Sequence, residues 1–305
     1  MKEKILIFGH KNPDTDTICS SIVMANLKEK LGEEVIPCRL GEINEETNYA
    51  LDYFKANVPA MIENVEEGQP VILVDHNEFS QSVDGIEHAK IQAVVDHHRI
   101  NNFQTSEPLF YYAQPVGCTA TILYELYKSE NVEIDAQMAG LMLSAIISDT
   151  LLLKSPTTTD KDIKALKELA KIANVDVKQY GVDMLKAGTD LDKYTEDELI
   201  RLDAKKVEKE DFKYIVAQVN TVSIDDVLKR QHKIEQEMNK SIIANGLSLF
   251  IFVITDILNS NSKSIVLGER SDIIAKSYEI NNNVADMPGV VSRKKQILPL
   301  IEKNM

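Results

Sequence analysis

Three short apolar runs place the strongest constraint on how this chain can fold. The runs ILIF (5–8), VILV (71–74) and QAVV (92–95) show no alternation of apolar and polar residues. Such runs are typical of parallel strands that are buried on both faces. Amphipathic or apolar stretches follow them and predict helices at Thr15–Leu31, Thr119–Glu130 and Ala136–Ser148. The first half of the chain is therefore predicted to be an α/β domain, a parallel sheet with helices on both faces.

The length and a polar interruption predict a second domain. The chain has 305 residues, and domains commonly hold roughly 100–200. The polar stretch Lys186–Asp197 contains a glycine and interrupts the α/β pattern, as an interdomain linker does. We predict a first domain at 1–187, a linker at 188–194 and a smaller α/β domain at 195–305. Its predicted elements are strands near Tyr214–Val219, Ser248–Asp256 and Ser264–Leu267 and a long polar helix at Asp225–Asn245.

Charge and cysteine content limit the partners of the chain. With 34 basic and 48 acidic residues the formal net charge is −14, which disfavours tracking of nucleic-acid phosphates. No apolar run reaches the roughly 18–20 residues of a membrane span. Three scattered cysteines, Cys19, Cys38 and Cys118, form no disulfide framework and agree with a reducing compartment. We therefore expect a cytoplasmic protein without a nucleic-acid or membrane partner.

Polar residues with metal-binding chemistry follow each of the three apolar runs. His10 follows the first run, Asp75 the second, and Asp96-His97-His98 the third. The carboxyl ends of parallel strands form the crevice in which ligands bind. Further carboxylates, Asp14, Asp16 and Asp149, lie after His10 and at the end of the predicted helix 136–148. Neutral imidazole and carboxylate oxygens without thiolates suit Mn²⁺ better than a structural zinc.

The spacing of these residues is compatible with two adjacent ions. Pro13 stiffens the loop after His10, and Asp14 and Asp16 can face different neighbours as the next helix begins. Asp75, with two oxygens, can bridge two ions about 3.5–4 Å apart, an arrangement that makes a bridging water acidic enough to attack at neutral pH. Taken singly, Asp14 or Asp16 can equally be a helix cap, and His97-His98 a surface pair. The combination at three strand ends favours the metal site. His88 and His232 are expected to be solvated, whereas His76 is undecided.

A basic segment near the other end of the chain, Val291-Ser292-Arg293-Lys294-Lys295-Gln296, indicates phosphate binding. It lies between apolar residues, so part of it is expected to face inward. Arg forks and backbone N–H groups at a helix start bind phosphate oxygens well. Lys205 is a weaker candidate, because its predicted helical setting and the neighbouring Lys206 favour an exposed lysine.

Several motifs together resemble one known family. They are GHKNPDTD (9–16), VDHNE (74–78), DHH (96–98), PVGCTAT (115–121), LMLSAIISDT (141–150), KSPT (154–157), LDAK (202–205), QVNTV (218–222), VITDI (253–257) and VSRKKQ (291–296). They are similar to those of the family II inorganic pyrophosphatases, members of the DHH phosphoesterase superfamily. The resemblance extends from residue 5 to residue 299.

The resemblance implies a manganese-dependent hydrolase that splits pyrophosphate into two orthophosphates. Two Mn²⁺ or Co²⁺ ions per subunit are implied, with Mg²⁺ entering with the substrate, an active site in the cleft between the domains, and a homodimer. One ion would be held by His10, Asp14 and Asp75, the other by Asp16, Asp75, His97 and Asp149. The phosphoryl groups would be held by His98, Lys205, Arg293 and Lys294. Asp14, Asp75 and these four residues are the ones predicted to act in catalysis.

One departure and two alternatives stay open. Tyr112 and Gln114 stand where the family pattern predicts Arg and Glu, which affects local surface or dimer contacts. A DHH-type phosphodiesterase or exopolyphosphatase is the enzymatic alternative, although its Gly-rich GGGH-like signature does not occur in this sequence. A metal- or nucleotide-sensing module without catalysis is the other alternative.

Overall fold

The chain folds into two compact units, Met1–Gly188 and Thr189–Met305. The computed structural model describes residues 4–189, 191–209 and 212–305, apart from the side chains of Lys294 and Lys295. Among the helices in these ranges, none combines the length and apolar character needed to cross a membrane.

A parallel sheet forms the centre of the first unit. Its strands are β1 (Ile5–Phe8), β2 (Val35–Arg39), β3 (Ala60–Met61), β4 (Pro70–Val74), β5 (Lys90–Asp96) and β6 (Phe110–Ala113). In the described part of the chain they lie in the order β3-β2-β1-β4-β5-β6, and every pairing is parallel. The predicted parallel α/β architecture is thus confirmed. The order reverses between β1 and β4, and such switch points are where open α/β sheets bind ligands.

Helices and short 3₁₀ turns cover the sheet of the first unit. The helices are α1 (Thr15–Lys30), α2 (Glu45–Tyr53), α3 (Thr119–Ser129), α4 (Ala136–Thr150), α5 (Asp160–Ala173) and α6 (Val177–Gly188). Helices α1 and α3 contact the strands directly, and α4 packs behind them. On the face of Phe8 and Leu73 the apolar cover includes Val83 and Ile86. The sequence predicts helices on both faces of the sheet. On this face, within the described residues, the helical elements are two short 3₁₀ turns, Phe79–Gln81 and Ile86–His88.

The second unit is a mixed sheet covered on both sides by apolar clusters. Its elements are α7 (Glu196–Leu199), β7 (Ala204–Lys209), β8 (Phe212–Thr221), α8 (Ile224–Leu228), α9 (Gln231–Asn245), β9 (Leu249–Asp256), β10 (Asn261–Leu267), α10 (Asp272–Ala275), β11 (Ile280–Asn281), β12 (Val284–Met287) and α11 (Leu298–Asn304). The strand order is β11-β12-β10-β9-β8-β7, and β8 pairs with β9 in parallel. A π-helical turn at Arg293–Ile297 precedes α11, so the basic segment lies at a helix start.

Two local predictions differ from the structure. The continuous helix predicted at Asp225–Asn245 is wrong, because the chain breaks into α8 and α9 around Arg230. Arg230 turns its guanidinium to the carbonyls of Leu191 and Tyr194 and to Glu196. Lys205 lies in strand β7 and not in a helix. The linker predicted at 188–194 lies between the end of α6 at Gly188 and the start of α7 at Glu196.

Candidate metal centre and phosphate site

The carboxyl ends of three adjacent strands bring the predicted metal-binding residues together. His10 follows β1, Asp75 follows β4, and His97 and His98 follow β5. Because β1, β4 and β5 are neighbours in the sheet, these side chains meet at one edge. Gly9, at the end of β1, allows the chain to pass close to Thr17 at the start of α1. A Cβ at residue 9 would lie only 2.5 Å from Cγ2 of the Thr17 side chain.

Asp75 is the centre of this arrangement and is 1% exposed. Its backbone has a φ of 58°, a left-handed conformation that side-chain-bearing residues rarely adopt and that often marks functional sites. Nε2 of His10 lies 3.5 Å from Oδ2, and Nε2 of His97 lies 3.4 Å from Oδ1. Burial alone would raise the pKa of Asp75. The hydrogen bond to His97 and the charges of the surrounding histidines instead hold that pKa well below its usual range.

The two oxygens of Asp75 also accept hydrogen bonds from two buried threonines. The Thr17 hydroxyl donates to Oδ2 at 2.6 Å, and the Thr119 hydroxyl donates to Oδ1 at 3.0 Å. Sequence reasoning missed both residues. Their only signal was their position, Thr17 directly after GHKNPDTD and Thr119 inside PVGCTAT, because a threonine at the start of a helix is ordinarily a structural residue.

Asp16 is fully buried and is held by the start of helix α3. Its oxygens accept the N–H groups of Thr119 at 2.7 Å and Ala120 at 3.2 Å, and the Ser20 hydroxyl at 2.7 Å. These donors and the helix N-terminus stabilise a negative charge. Burial and the nearby charge of Asp75 nevertheless raise the pKa of Asp16 to about 7.

Asp14 and Asp149 complete the acidic side of the site. Oδ1 of Asp14 caps α1 by accepting the Thr17 N–H at 2.9 Å, while Oδ2 lies 3.5 Å from Nε2 of His10. Asp14 is therefore both the N-cap of α1 and a candidate metal ligand. Asp149 lies in the last turn of α4, 3.7 Å from Nε2 of His97. Burial and the charge of Asp16 raise the pKa of Asp149 well above its ordinary value.

The donor set suits divalent cations. Three groups place potential ligand atoms within 4.8 Å of one another: His10, Asp14 and Asp75; Asp75, His97 and His98; and Asp16, Cys118 and Asp149. Buried carboxylates that raise one another's pKa are stabilised by a bound cation, which removes their repulsion. The histidines offer imidazole nitrogens at the same edge, and each can bind a cation once its ring has lost the extra proton. These residues therefore fit the Mn²⁺ or Co²⁺ expected from the sequence.

Cys118 is buried beside Asp16 and Asp149. Burial and the charge of Asp16 raise the pKa of the Cys118 thiol, and burial likewise raises the pKa of Cys19. Both thiols are therefore protonated at neutral pH and unsuited to nucleophilic attack.

His98 is held in a fixed orientation by Asp96. Oδ1 of the fully buried Asp96 lies 2.9 Å from Nδ1 of His98 and accepts the His98 N–H at 3.0 Å. Oδ2 accepts the amide of Asn77 at 2.6 Å. The hydrogen bond to Asp96 raises the pKa of His98. Since half of the His98 side chain is exposed, its Nε2 is the nitrogen that remains to face a ligand. The sequence pointed to Asp96 only as part of the Asp96-His97-His98 motif, and it gave Asn77 no role.

Glu46 holds the segments that carry the candidate metal ligands Asp14, Asp16 and Asp149. It accepts the Thr15 hydroxyl at 2.8 Å and the Ser148 hydroxyl. Thr15 lies between Asp14 and Asp16, and Ser148 precedes Asp149. One carboxylate thus links the start of α1 to the end of α4. No motif in the sequence pointed to it.

The remaining histidines are placed as follows. His88 and His232 are exposed, as expected. His76 is buried, with Nδ1 2.9 Å from the Val74 carbonyl and Nε2 3.0 Å from the Ser82 hydroxyl. His76 therefore has a structural role next to Asp75.

In the second unit, Arg293 lines a cavity of about 360 Å³ together with Asp203, Gln218, Asn220, Val291 and Ser292. Its guanidinium contacts Oδ1 of Asp203 at 2.8 Å and also donates to the Asp203 carbonyl. Lys205 is exposed on β7. The side chain of Lys294 lies outside the described part of the chain.

The two residues of the departure from the family pattern, Tyr112 and Gln114, belong to one hydrogen-bond network. The Gln114 amide donates to the Tyr112 hydroxyl at 2.6 Å and to Glu125 at 2.7 Å. Lys161 pairs with Glu125 at 3.0 Å. These contacts join the region around edge strand β6 to α3 and α5.

Comparisons with known proteins agree with this architecture. The model of the DHH family N-terminal domain matches residues 4–146, and that of the DHHA2 domain matches residues 182–304. Together with the strand-end cluster, they make the chain a DHH-family protein. The manganese-dependent inorganic pyrophosphatase of Bacillus subtilis (strain 168) is 55% identical over 306 residues, 99% of each chain. A candidate enzyme of the same name from an Exiguobacterium species is 56% identical over 97% of each chain. The chain therefore belongs to the family of manganese-dependent inorganic pyrophosphatases.

Solved structures show the same fold. A candidate family II inorganic pyrophosphatase from Methanococcus jannaschii matches with a TM-score of 0.62 at 38% identity over 98% of each chain. An exopolyphosphatase-related protein from Bacteroides fragilis matches with a TM-score of 0.52 at 13% identity. At that identity the second likeness concerns the fold alone.

Proposed function

We propose that this protein hydrolyses inorganic pyrophosphate to two orthophosphates in a manganese-dependent reaction. The observation that carries the proposal is the 55% identity, over 99% of both chains, with a manganese-dependent inorganic pyrophosphatase. The cluster of imidazoles and carboxylates at the carboxyl ends of β1, β4 and β5 supports it independently.

For the metal centre we propose the ligands that the family resemblance implies. His10, Asp14 and Asp75 would hold one ion, and Asp16, Asp75, His97 and Asp149 the other. Support comes from Asp75, which lies in two of the three groups with converging ligand atoms. When bound, such ions lower the pKa of water and offset negative charge on phosphoryl oxygens.

The residues of the chain would act mainly by binding and orienting the substrate. Phosphoryl transfer needs positioning and charge stabilisation more than covalent chemistry. His98, fixed by Asp96, would present Nε2 to a phosphoryl oxygen. Arg293, Lys205 and Lys294 would offset charge on the same substrate from the second unit. The substrate would arrive with Mg²⁺.

We further propose a division of labour along the chain. Residues 1–187 would form the metal-binding domain, 188–194 the linker and 195–305 the substrate-binding domain. The family resemblance also supports a homodimer. The isolated cysteines and the net charge of −14 support a cytoplasmic protein that does not track nucleic acids.

Phosphate release after metal removal tests the proposal. The protein is treated with a chelator, and Mn²⁺, Co²⁺, Mg²⁺ or Zn²⁺ is added back before pyrophosphate. We expect the fastest release with Mn²⁺ or Co²⁺. A linear dinucleotide, a cyclic dinucleotide and a longer polyphosphate are assayed in parallel. Faster turnover of one of these would indicate the phosphodiesterase or exopolyphosphatase alternative. Binding of pyrophosphate without release of phosphate would indicate a sensing module.

A further inference from the structure

The loop that carries Arg293 is held by the side chains of two glutamines. We call residues 289–293 the arginine loop. Gln218 on β8 contacts this loop from the sheet, and Gln296 contacts it from the π-helical turn that follows. Neither glutamine was assigned a role from the sequence, although both lie in motifs of the family.

Gln218 uses both ends of its amide. Oε1 accepts the Arg293 backbone N–H at 3.1 Å, and Nε2 donates to the Val291 carbonyl at 3.2 Å. Nε2 also donates to the hydroxyl of Thr255 on β9 at 2.9 Å. Because oxygen and nitrogen each have a partner of the matching kind, the amide can take only one orientation.

A chain of hydrogen bonds runs from Gln218 across the sheet and back to the arginine loop. The Thr255 hydroxyl lies 2.9 Å from the hydroxyl of Ser262 on β10, which donates to the Val290 carbonyl at 2.6 Å. Thr255 and Ser262 are buried. A polar ladder across three adjacent strands therefore connects to residues 290, 291 and 293. Buried networks of this kind, when every member is satisfied, rigidify what they hold.

Gln296 fixes the other side of the arginine loop. Its Oε1 accepts the N–H groups of Val291 at 2.9 Å and Ser292 at 3.0 Å, and its Nε2 donates to the Gly289 carbonyl at 2.8 Å. Gly289 has a φ of 72°, which a glycine adopts without strain. The loop is thus fixed by side chains at residues 289 to 293.

A fixed backbone matters because the Arg293 fork is useful only at a defined angle. The side chain is 19% exposed and its guanidinium rests on Asp203 at 2.8 Å. A planar guanidinium binds phosphoryl oxygens through paired N–H groups, so a small displacement of its backbone loses the second hydrogen bond.

We propose that Gln218 is a positioning residue of the phosphate site, which acts through Arg293, and that Gln296 gives the loop a second, independent support. The inference rests on the proposed function, since it assumes that Arg293 binds a phosphoryl group. It assigns no contact between either glutamine and the substrate.

The test is a double-mutant cycle between Gln218→Ala and Arg293→Ala. For Gln218→Ala we expect kcat/KM for pyrophosphate to fall about tenfold, mainly through KM, as the loss of one or two well-placed hydrogen bonds predicts. Mn²⁺ affinity and stoichiometry should not change. In the Arg293→Ala background, Gln218→Ala should have almost no further effect, because the residue through which it acts is absent. Gln231→Ala is the matched control. Like Gln218, Gln231 donates both to a side chain, that of Glu235, and to a backbone carbonyl, that of Asn282.

Multiplicative effects of Gln218→Ala and Arg293→Ala would overturn the inference, as would a loss in Gln231→Ala equal to that in Gln218→Ala. If Gln218→Ala does not fold, Gln296→Ala enters the same cycle with the same expectation. Binding of imidodiphosphate, a non-hydrolysable analogue of pyrophosphate, is measured by calorimetry in every variant. Absence of hydrolysis in the unmodified protein would refute the proposed function, whereas the coupling between Gln218 and Arg293 would still be decided by analogue binding.

Discussion

Replacement of Thr17 by valine removes one hydrogen-bond donor from Asp75, the buried carboxylate at the centre of the candidate metal site. Valine keeps the shape of threonine, so packing against Gly9 is retained. The Thr17 hydroxyl lies 2.6 Å from Oδ2 of Asp75, and a hydrogen bond to a charged group contributes roughly 1.5–3 kcal/mol. In metal-free protein the free energy of unfolding should therefore fall by about 2 kcal/mol. For a unit of this size the melting temperature should fall by roughly 4–8 °C.

The same substitution should weaken manganese binding, because the hydroxyl also orients the carboxylate. Loss of a residue that supports a metal ligand typically costs about 10- to 100-fold in metal affinity. The loss should be smaller for Thr119→Val, whose hydrogen bond to Asp75 is longer at 3.0 Å. Calorimetric titration of chelator-treated protein with Mn²⁺ measures both affinities.

Thr121→Val supplies a closely matched control. The Thr121 hydroxyl also donates to a buried carboxylate, Oδ1 of Asp162 at 2.6 Å, but Asp162 belongs to the capping box of α5. Thr121→Val should lower the melting temperature by a similar amount and leave Mn²⁺ affinity unchanged. Equal Mn²⁺ affinities in Thr17→Val and the unmodified protein would refute the reasoning. So would a loss of affinity in Thr121→Val as large as that in Thr17→Val.

Three further predictions concern other parts of the site. Asp75→Ala should fail to retain two Mn²⁺ ions, because the bridging ligand that we propose would serve both, and metal analysis after gel filtration that finds two retained Mn²⁺ would contradict the bridge. Arg293→Lys should lower kcat/KM for pyrophosphate through loss of the planar fork while calorimetry finds unchanged Mn²⁺ binding; unchanged turnover would remove Arg293 from the site. Burial lowers the pKa of His76 to about 4. Between a pH of about 6.5 and about 4, His76 is therefore protonated in the unfolded chain and neutral in the folded chain. Over that window the metal-free protein should lose about 3 kcal/mol of stability relative to His76→Gln in urea unfolding, and parallel pH profiles would argue against the buried neutral imidazole.

The sequence predicted the centre of the first unit well because its signals are local. Buried strands without alternation end within two residues of His10, Asp75 and His97, and parallel strands must present those ends at one edge. The capping box of Thr159 and Asp162 is equally local, since both partners lie within one turn.

The supports of the site were not predictable, because they depend on contacts between distant segments. Thr119 contacts Asp75 across 44 residues, and Glu46 contacts Ser148 across 102. A threonine or glutamate on a helix carries no sign of such a partner. The break before α9 has the same origin, since Arg230 binds the carbonyls of Leu191 and Tyr194, and tertiary contacts of this kind override helix propensity.

The hydrogen bonds from the start of α3 to Asp16 also bear on how the protein acquires its metal. Asp16 accepts the backbone N–H groups of Thr119 and Ala120, which lie 103 and 104 positions further along the chain. While the chain is being synthesised, the segment that carries His10, Asp14 and Asp75 thus exists long before α3 can dock and before Asp149 is made. Manganese should consequently bind weakly to the growing chain and tightly only to the finished domain, where binding adds directly to stability. The order of assembly itself would protect the site from premature capture of a wrong ion.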